Sequence, residues 1–286
     1  MKKFFSTLLI FGSMLSAFAQ QAKGFDIDLW PNGLPNSNGI DKTEPFDAEK
    51  RNFKPSIRVF LPEDKTQCDA AILVIPGGGY RVLSNYQEGY LWADQFVPQG
   101  IATIVLTYRM PMGVTEVPIS DATEAMRLIR EHAAEWGINP QKVGILGSSA
   151  GGHLASTIAT HNDEATRPNF QILFYPVISM NPAITHADSR LCMIGEKPSY
   201  ELQQLYSNQC QVNSQTPPAI IILADDDFLV NPLNSVEYYT ALHNAGIKAS
   251  MHIYPKGGHG FGCGDWFPYK QQMLNDLQIW LEPFLK

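Results

Sequence analysis

Along most of the chain, short continuous apolar runs alternate with stretches whose apolar positions recur every three or four residues. The runs at 56–61, 70–75, 102–107, 143–146, 171–175, 219–223 and 249–254 predict strands. Several are apolar at successive positions, so neither face of the sheet can meet water, as in parallel strands covered by helices. Between the strands, residues 121–136 place Ala122, Ala125, Met126, Ile129 and Ala133 on one helical face. Asp121 and Glu124 have capping-box spacing at its start and Gly137 supplies a stop. Further helical patterns run near 87–96, 153–161, 233–245 and 270–285. The alternation predicts one α/β domain: a mostly parallel central sheet with helices on both faces and a ligand site outside the carboxyl ends of the strands. Residues from about 181 to 217 break the rhythm. They are polar and irregular, helical only near 200–206, and predict a small lid insert.

The N-terminus adds a compartment to this picture. Lys2 and Lys3, an apolar stretch to Phe18 and the Ala17-Phe18-Ala19 triplet read as a cleavable secretory leader over residues 1–19. The apolar stretch is shorter than the roughly 20 residues a membrane span needs. The expected product is one domain over residues 20–286 in the periplasm or outside the cell. Without Lys2 and Lys3 the 21 basic residues fall to 19 against 28 acidic ones, a net charge of −9. No basic cluster is available to neutralise a phosphate backbone, which argues against nucleic acid as a partner. The four cysteines are too few for a disulfide scaffold. Cys192 and Cys210, both in the insert, are the natural pair if any forms, and ordinary small hydrophobes otherwise. With no C-x-x-C or H-E-x-x-H spacing, the chain offers no metal motif.

Chemistry concentrates in four loops, each directly after a predicted strand. Gly147-Ser148-Ser149-Ala150-Gly151-Gly152 joins the run 143–146 to the helical stretch that opens at His153. In that context the Gly-x-Ser-x-Gly pattern is a strand–turn–helix elbow, and Ser149 is the candidate nucleophile. A serine hydroxyl needs a general base within hydrogen-bond reach and a group that orients the base. His259, in Lys256-Gly257-Gly258-His259-Gly260-Phe261-Gly262, sits in a glycine-rich loop after the last strand and is the candidate base. Ala224-Asp225-Asp226-Asp227 follows the run 219–223, and Asp227 is the chosen acid because Phe228-Leu229-Val230-Asn231-Pro232 resembles the D-x-x-V-P turn of many serine hydrolases. Asp225 and Asp226 are left to orient the loop or face water. Upstream, Ile75-Pro76-Gly77-Gly78-Gly79-Tyr80 exposes backbone N–H groups that could receive an oxyanion, with donors at Gly78 or Gly79 and at Ala150.

Together with Tyr108-Arg109-Met110, these motifs resemble the α/β-hydrolase superfamily, and within it the esterase/lipase branch that includes bacterial acetylxylan esterases and related carbohydrate esterases. The similarity runs from about Phe25 to the C-terminus, and the order Ser149, Asp227, His259 is that of the superfamily. Two positions depart from the lipase-type pattern. Pro76 replaces the histidine of H-G-G-G, and Leu223-Ala224 replace the His-Gly that often precedes the acid. The resemblance implies an α/β-hydrolase fold and a serine esterase that needs no cofactor. The short lid and the predicted export point to a small acyl group on a large alcohol, so the expected partner is an acetylated oligo- or polysaccharide such as xylan. Tyr80, Phe261 and Trp266 are candidates to stack on sugar rings, and His186 and Arg190 to hydrogen-bond hydroxyls. Feruloyl or general small-ester carboxylesterases remain alternatives, with a prolyl-oligopeptidase-type peptidase and a non-catalytic binding protein behind them.

Overall fold

The computed structural model describes residues 23–64, 68–161 and 164–286. The expected leader at 1–19 lies outside the described residues. One eight-stranded sheet runs in the order β1-β2-β4-β3-β5-β6-β7-β8. Its strands are β1 (Phe25–Asp28), β2 (Ser56–Phe60), β3 (Ala71–Ile75), β4 (Ala102–Thr107), β5 (Val143–Ser148), β6 (Gln171–Phe174), β7 (Ala219–Ala224) and β8 (Ala249–Tyr254). The pairs β1/β2 and β2/β4 are antiparallel. From β4 to β8 every pair is parallel. Every residue of β3, β5, β6 and β7 is buried, so both faces of the sheet's centre are covered. Edge strand β1 alternates Phe25 and Ile27 with Asp26 and Asp28, and three of its four residues are exposed. So short and exposed a strand gives little apolar signal in sequence.

The covering helices are α1 (Leu91–Phe96), α2 (Glu116–Glu131), α3 (Ala133–Trp136), α4 (Ala150–His161), α7 (Leu233–Asn244) and α8 (Lys270–Leu285), with α5 (Ala187–Ile194) and α6 (Tyr200–Leu205) in the lid. A π-helical turn, Tyr86–Tyr90, precedes α1. Among the described residues no helix is long and apolar enough to cross a membrane.

The capping box expected at Asp121 is not there. Helix α2 begins five residues earlier, at Glu116, and Asp121 is fully buried within it. Its carboxylate accepts from the Arg109 backbone N–H at 2.9 Å and from the guanidinium, Nη2 to Oδ1, at 2.7 Å. Trp30 Nε1 donates to the same carboxylate at 2.7 Å, and Arg109 Nη1 donates to Asn36 O at 2.8 Å. An ion pair, not a helix cap, explains the acid. Through it the segment before β2 is tied to the end of β4 and to α2.

The lid holds two helices where one was expected, and it is docked from below by α4. His161 Nε2 bonds Leu205 O at 2.9 Å, and Asn208 Nδ2 donates to Ser156 Oγ at 2.7 Å. Cys192 and Cys210 do not pair, and all four cysteines are free. The Cys210 thiol is turned toward Gln204 of α6, while Cys192 lies in the last turn of α5, where its carbonyl receives Gly113 N.

Replacing Asp121 with alanine would strand the Arg109 charge in the interior. The expected loss of unfolding free energy is about 3–5 kcal/mol, read from urea denaturation. A loss below about 1 kcal/mol would mean that Asn36 and Asp41 satisfy the guanidinium unaided.

Candidate active site

Because β3, β5, β7 and β8 are parallel, the loops leaving their carboxyl ends share one edge of the sheet. Ser149 follows β5 with φ 54°, a left-handed conformation that costs a non-glycine residue about 1–3 kcal/mol. Its neighbours hold it there. Ser149 N donates to Phe174 O at 3.0 Å, and Ser149 O accepts from Val177 N at 3.0 Å. The glycines around it are required by contact. A Cβ on Gly151 would lie 2.2 Å from Ile75 O, and one on Gly147 would lie 2.4 Å from Gly151 O.

The structure brings Ser149, His259 and Asp227 together. His259 Nε2 lies 2.8 Å from Ser149 Oγ, and His259 Nδ1 lies 2.7 Å from Asp227 Oδ2. The acid is almost wholly enclosed, and its other oxygen accepts from Leu229 N and Val230 N, each at 2.9 Å. A carboxylate oxygen accepts, so Nδ1 of the imidazole is its donor and Nε2 is placed to accept from the serine. Asp226 Oδ1 receives Gly258 N at 2.7 Å and thereby anchors the histidine loop.

The glycine loop after β3 turns through Gly78, Gly79 and Tyr80, all at positive φ. The N–H groups of Gly78, Gly79 and Ala150 donate to no acceptor among the described residues. Unspent donors are what a developing oxyanion requires. Among the described residues no group of three or more His, Cys, Asp or Glu side chains is placed to hold a metal ion.

The family model named BD-FAE matches residues 57–242. The chain belongs to the BD-FAE family. Along 98% of its length this BD-FAE chain is 43% identical to an acetylxylan esterase of Xylanibacter ruminicola, spanning 55% of that protein. It is 34% identical over 73% of its length to endo-1,4-beta-xylanase B of Butyrivibrio fibrisolvens, spanning 35% of that protein. The chain thus spans about half or less of the length of these two relatives. Among solved structures, an acetyl ester-xyloside bifunctional hydrolase from Caldicellulosiruptor lactoaceticus superposes with TM-score 0.79 at 31% identity, covering 93% of this chain and 99% of that one. The fold of the BD-FAE chain is therefore the α/β-hydrolase fold.

Three of the expected sugar contacts need correction. Tyr80 is 1% exposed, donates its hydroxyl to His153 Nδ1 at 2.9 Å and packs edge-on against Tyr108. Phe261 is fully buried and stacked on Phe267 with ring centroids 4.0 Å apart. Glycine-loop flexibility in sequence concealed that both rings fill the core behind the loops. Arg190 gives its Nε to Met180 O at 3.0 Å and so serves the lid's own structure. The other two candidates are not enclosed by the core. Trp266 is 58% exposed. His186 caps α5 and is half-buried over the glycine loop, its Cε1 3.5 Å from where a Cβ on Gly79 would sit, and burial lowers its pKa.

Sequence reasoning passed over Phe228 on the acid loop, at 93% the most exposed large apolar residue among the described residues. With Leu229, Asn231 and Pro232 it borders a groove of about 400 Å³ opposite residues 183–185 of the lid. Its place directly after Asp227 was the available signal. It also passed over the buried Glu88 and Tyr175, for which an apolar-pattern reading has no cue.

The BD-FAE chain carries a second buried imidazole just beyond the elbow. His153 Nδ1 accepts from Tyr80, so Nε2 bears the hydrogen and donates to Tyr206 O at 2.8 Å. Burial pushes its pKa down from 6.5 to about 4, against the opposing effect of the Tyr206 bond. Below pH 6.5 the unfolded chain takes up a proton that native His153 refuses, so stability falls as pH drops from 6.5 toward 4 and is constant below that. This group should contribute a loss of about 2–3 kcal/mol between pH 7 and 4.5. Chemical denaturation at both pH values checks it, because His153→Gln should be weaker at pH 7 yet show a pH slope shallower by that amount.

Proposed function

We propose that this BD-FAE chain is an exported serine esterase that removes acetyl groups from acetylated plant polysaccharide. The observation that carries the reading is the unbroken line from Asp227 Oδ2 through His259 to Ser149 Oγ, with links of 2.7 and 2.8 Å. In the proposed reaction, His259 Nε2 takes the Ser149 proton as Oγ bonds the acetyl carbonyl carbon. The carbonyl π electrons move to oxygen, which the N–H groups of Gly78 or Gly79 and of Ala150 receive. The tetrahedral species collapses, the sugar alkoxide leaves with the proton held by His259, and an acetyl-serine remains. Water, deprotonated by the same imidazole, then releases acetate and restores Ser149. Asp227 stabilises the imidazolium in both halves.

The acetyl preference is supported by the similarity to an acetylxylan esterase and to an acetyl ester-xyloside hydrolase. A polymeric alcohol is supported by the open groove beside the acid, by the exposed Phe228 ring that lines it, and by the exposed Trp266 ring seven residues after His259. Residues 1–19 supply the route out of the cytoplasm.

Acetate release from acetylated xylan should fall by about 10⁴-fold or more in Ser149→Ala, the scale on which removal of a nucleophile acts. Rapid cleavage of a proline peptide or a feruloyl ester by the wild-type chain, without acetate release, would overturn the acetyl reading. Trp266→Ala should raise KM on the polymer by about 3–10-fold, the worth of one aromatic stacking contact, and leave KM on p-nitrophenyl acetate within about twofold. Equal effects on both substrates would remove Trp266 from the sugar site.

A further inference from the structure

One buried acid behind the site is not used by the proposed reaction. Glu88 is 3% exposed, on the π-helical turn that precedes α1. Its Oε2 accepts from the Gly77 backbone N–H at 2.9 Å, and its Oε1 accepts from the Tyr175 hydroxyl at 2.8 Å. The Tyr175 oxygen in turn receives the Gly262 N–H at 2.7 Å. Gly77 opens the glycine loop after β3, and Gly262 closes the loop that carries His259. Two loops that leave different strands are therefore joined through the interior by one carboxyl and one phenol.

The surroundings indicate that this is a built feature. A π turn adds a residue to a helical repeat, is rare, and is found frequently at functional sites. Here it turns two successive residues inward, since Gln87 also reaches the histidine loop, donating Nε2 to Phe261 O at 3.1 Å. Fit at the other end is tight, because a Cβ on Gly77 would fall 2.7 Å from Glu88 Oε2 and 2.8 Å from Ser149 Cβ. Tyr175 is held at φ 34°, outside the range a non-glycine residue prefers, with its ring 4.6 Å from the His259 ring. Burying a carboxyl without an arginine or lysine partner is expensive. Burial raises the Glu88 pKa, and the Tyr175 bond, the Gly77 bond and the charge of His259 act in the opposite direction.

We propose that Glu88 is a positioning residue that, through Gly77 on one side and Tyr175 on the other, holds the oxyanion donors and the His259 base in register with each other. The proposal rests on the serine-esterase reading above. It gives Glu88 no contact with substrate, so its loss should slow the chemical step and leave substrate binding alone.

The test compares wild type, Glu88→Ala, Glu88→Gln, Tyr175→Phe and the Glu88→Gln/Tyr175→Phe pair. Each is measured for kcat and KM on p-nitrophenyl acetate and for the rate of Ser149 labelling by a fluorophosphonate. The labelling endpoint counts competent sites, so kcat is expressed per folded active site. Glu88→Ala and Tyr175→Phe should each lower kcat and the labelling rate by about 10–100-fold, as supporting hydrogen bonds to reactive groups do, with KM within about twofold. Glu88→Gln should recover most of the rate. Its amide can accept from Gly77 and donate to the Tyr175 oxygen, and the phenol hydrogen can turn to Ser148 Oγ, which is buried without another partner. For one continuous link, the double variant should be no slower than Tyr175→Phe by more than about threefold. Unchanged kcat per site in Tyr175→Phe, or effects that multiply in the double variant, would overturn the link while leaving the esterase reading intact. If Glu88→Ala fails to fold, Glu88→Gln and Tyr175→Phe decide the matter. Absence of labelling in wild type would instead sink the serine-esterase reading, and this proposal with it.

Discussion

The left-handed backbone at Ser149 is the constraint from which the rest of the site follows. A serine at φ 54° survives only where its surroundings over-determine it, and here β6 takes its N–H while the turn after β6 takes its carbonyl. The helix that follows can leave the strand so sharply only because Gly147 and Gly151 let α4 press against the end of β3. That same closeness sets the glycine loop of β3 beside the serine. The candidate oxyanion donors are thus placed by the packing that permits the elbow, and one steric arrangement serves both features of the proposed acyl transfer.

Parallel strands supply the remaining geometry. A residue that leaves β7 and one that leaves β8 are neighbours at the same edge, so Asp227 and His259 meet although 32 positions separate them in the chain. The acid is kept from water by its own loop, where two backbone N–H groups and one imidazole fill its lone pairs. Nothing in this arrangement needs the lid. The insert is held at its inner end by two histidines of α4, His153 on Tyr206 O and His161 on Leu205 O.

Fold class and the three side chains that meet at Ser149 were legible in sequence because each is announced locally. Apolar runs mark buried parallel strands, and glycines flanking a serine or a histidine mark loops that must bend. Where function depends on partners distant in sequence, local pattern failed. Asp121 had the spacing of a cap, but Arg109 and Trp30 claim it, and neither is near it in the chain. Tyr80 and Phe261 sit next to glycines that face the site, yet each side chain turns inward, a choice settled by core volume that no window of sequence contains. Helix α5 escaped notice because its eight residues gather their apolar positions at one end and show no helical period, and β1 because it is short and wet. Glu88 was the least visible of all. Its meaning comes from a π turn and from two loops that only the folded sheet brings within reach.

The Arg109–Asp121 pair bears on where this protein can be divided. The BD-FAE match begins at Ile57 and ends at Leu242. A fragment cut at those limits would lack Trp30 and Asn36, which close the shell around the buried guanidinium, and would also lack His259. Sequence kinship therefore marks the most recognisable part of the molecule and not its smallest working unit. The flanking segments are as integral as the centre: one completes the hydrogen bonds around a buried ion pair, and the other brings His259.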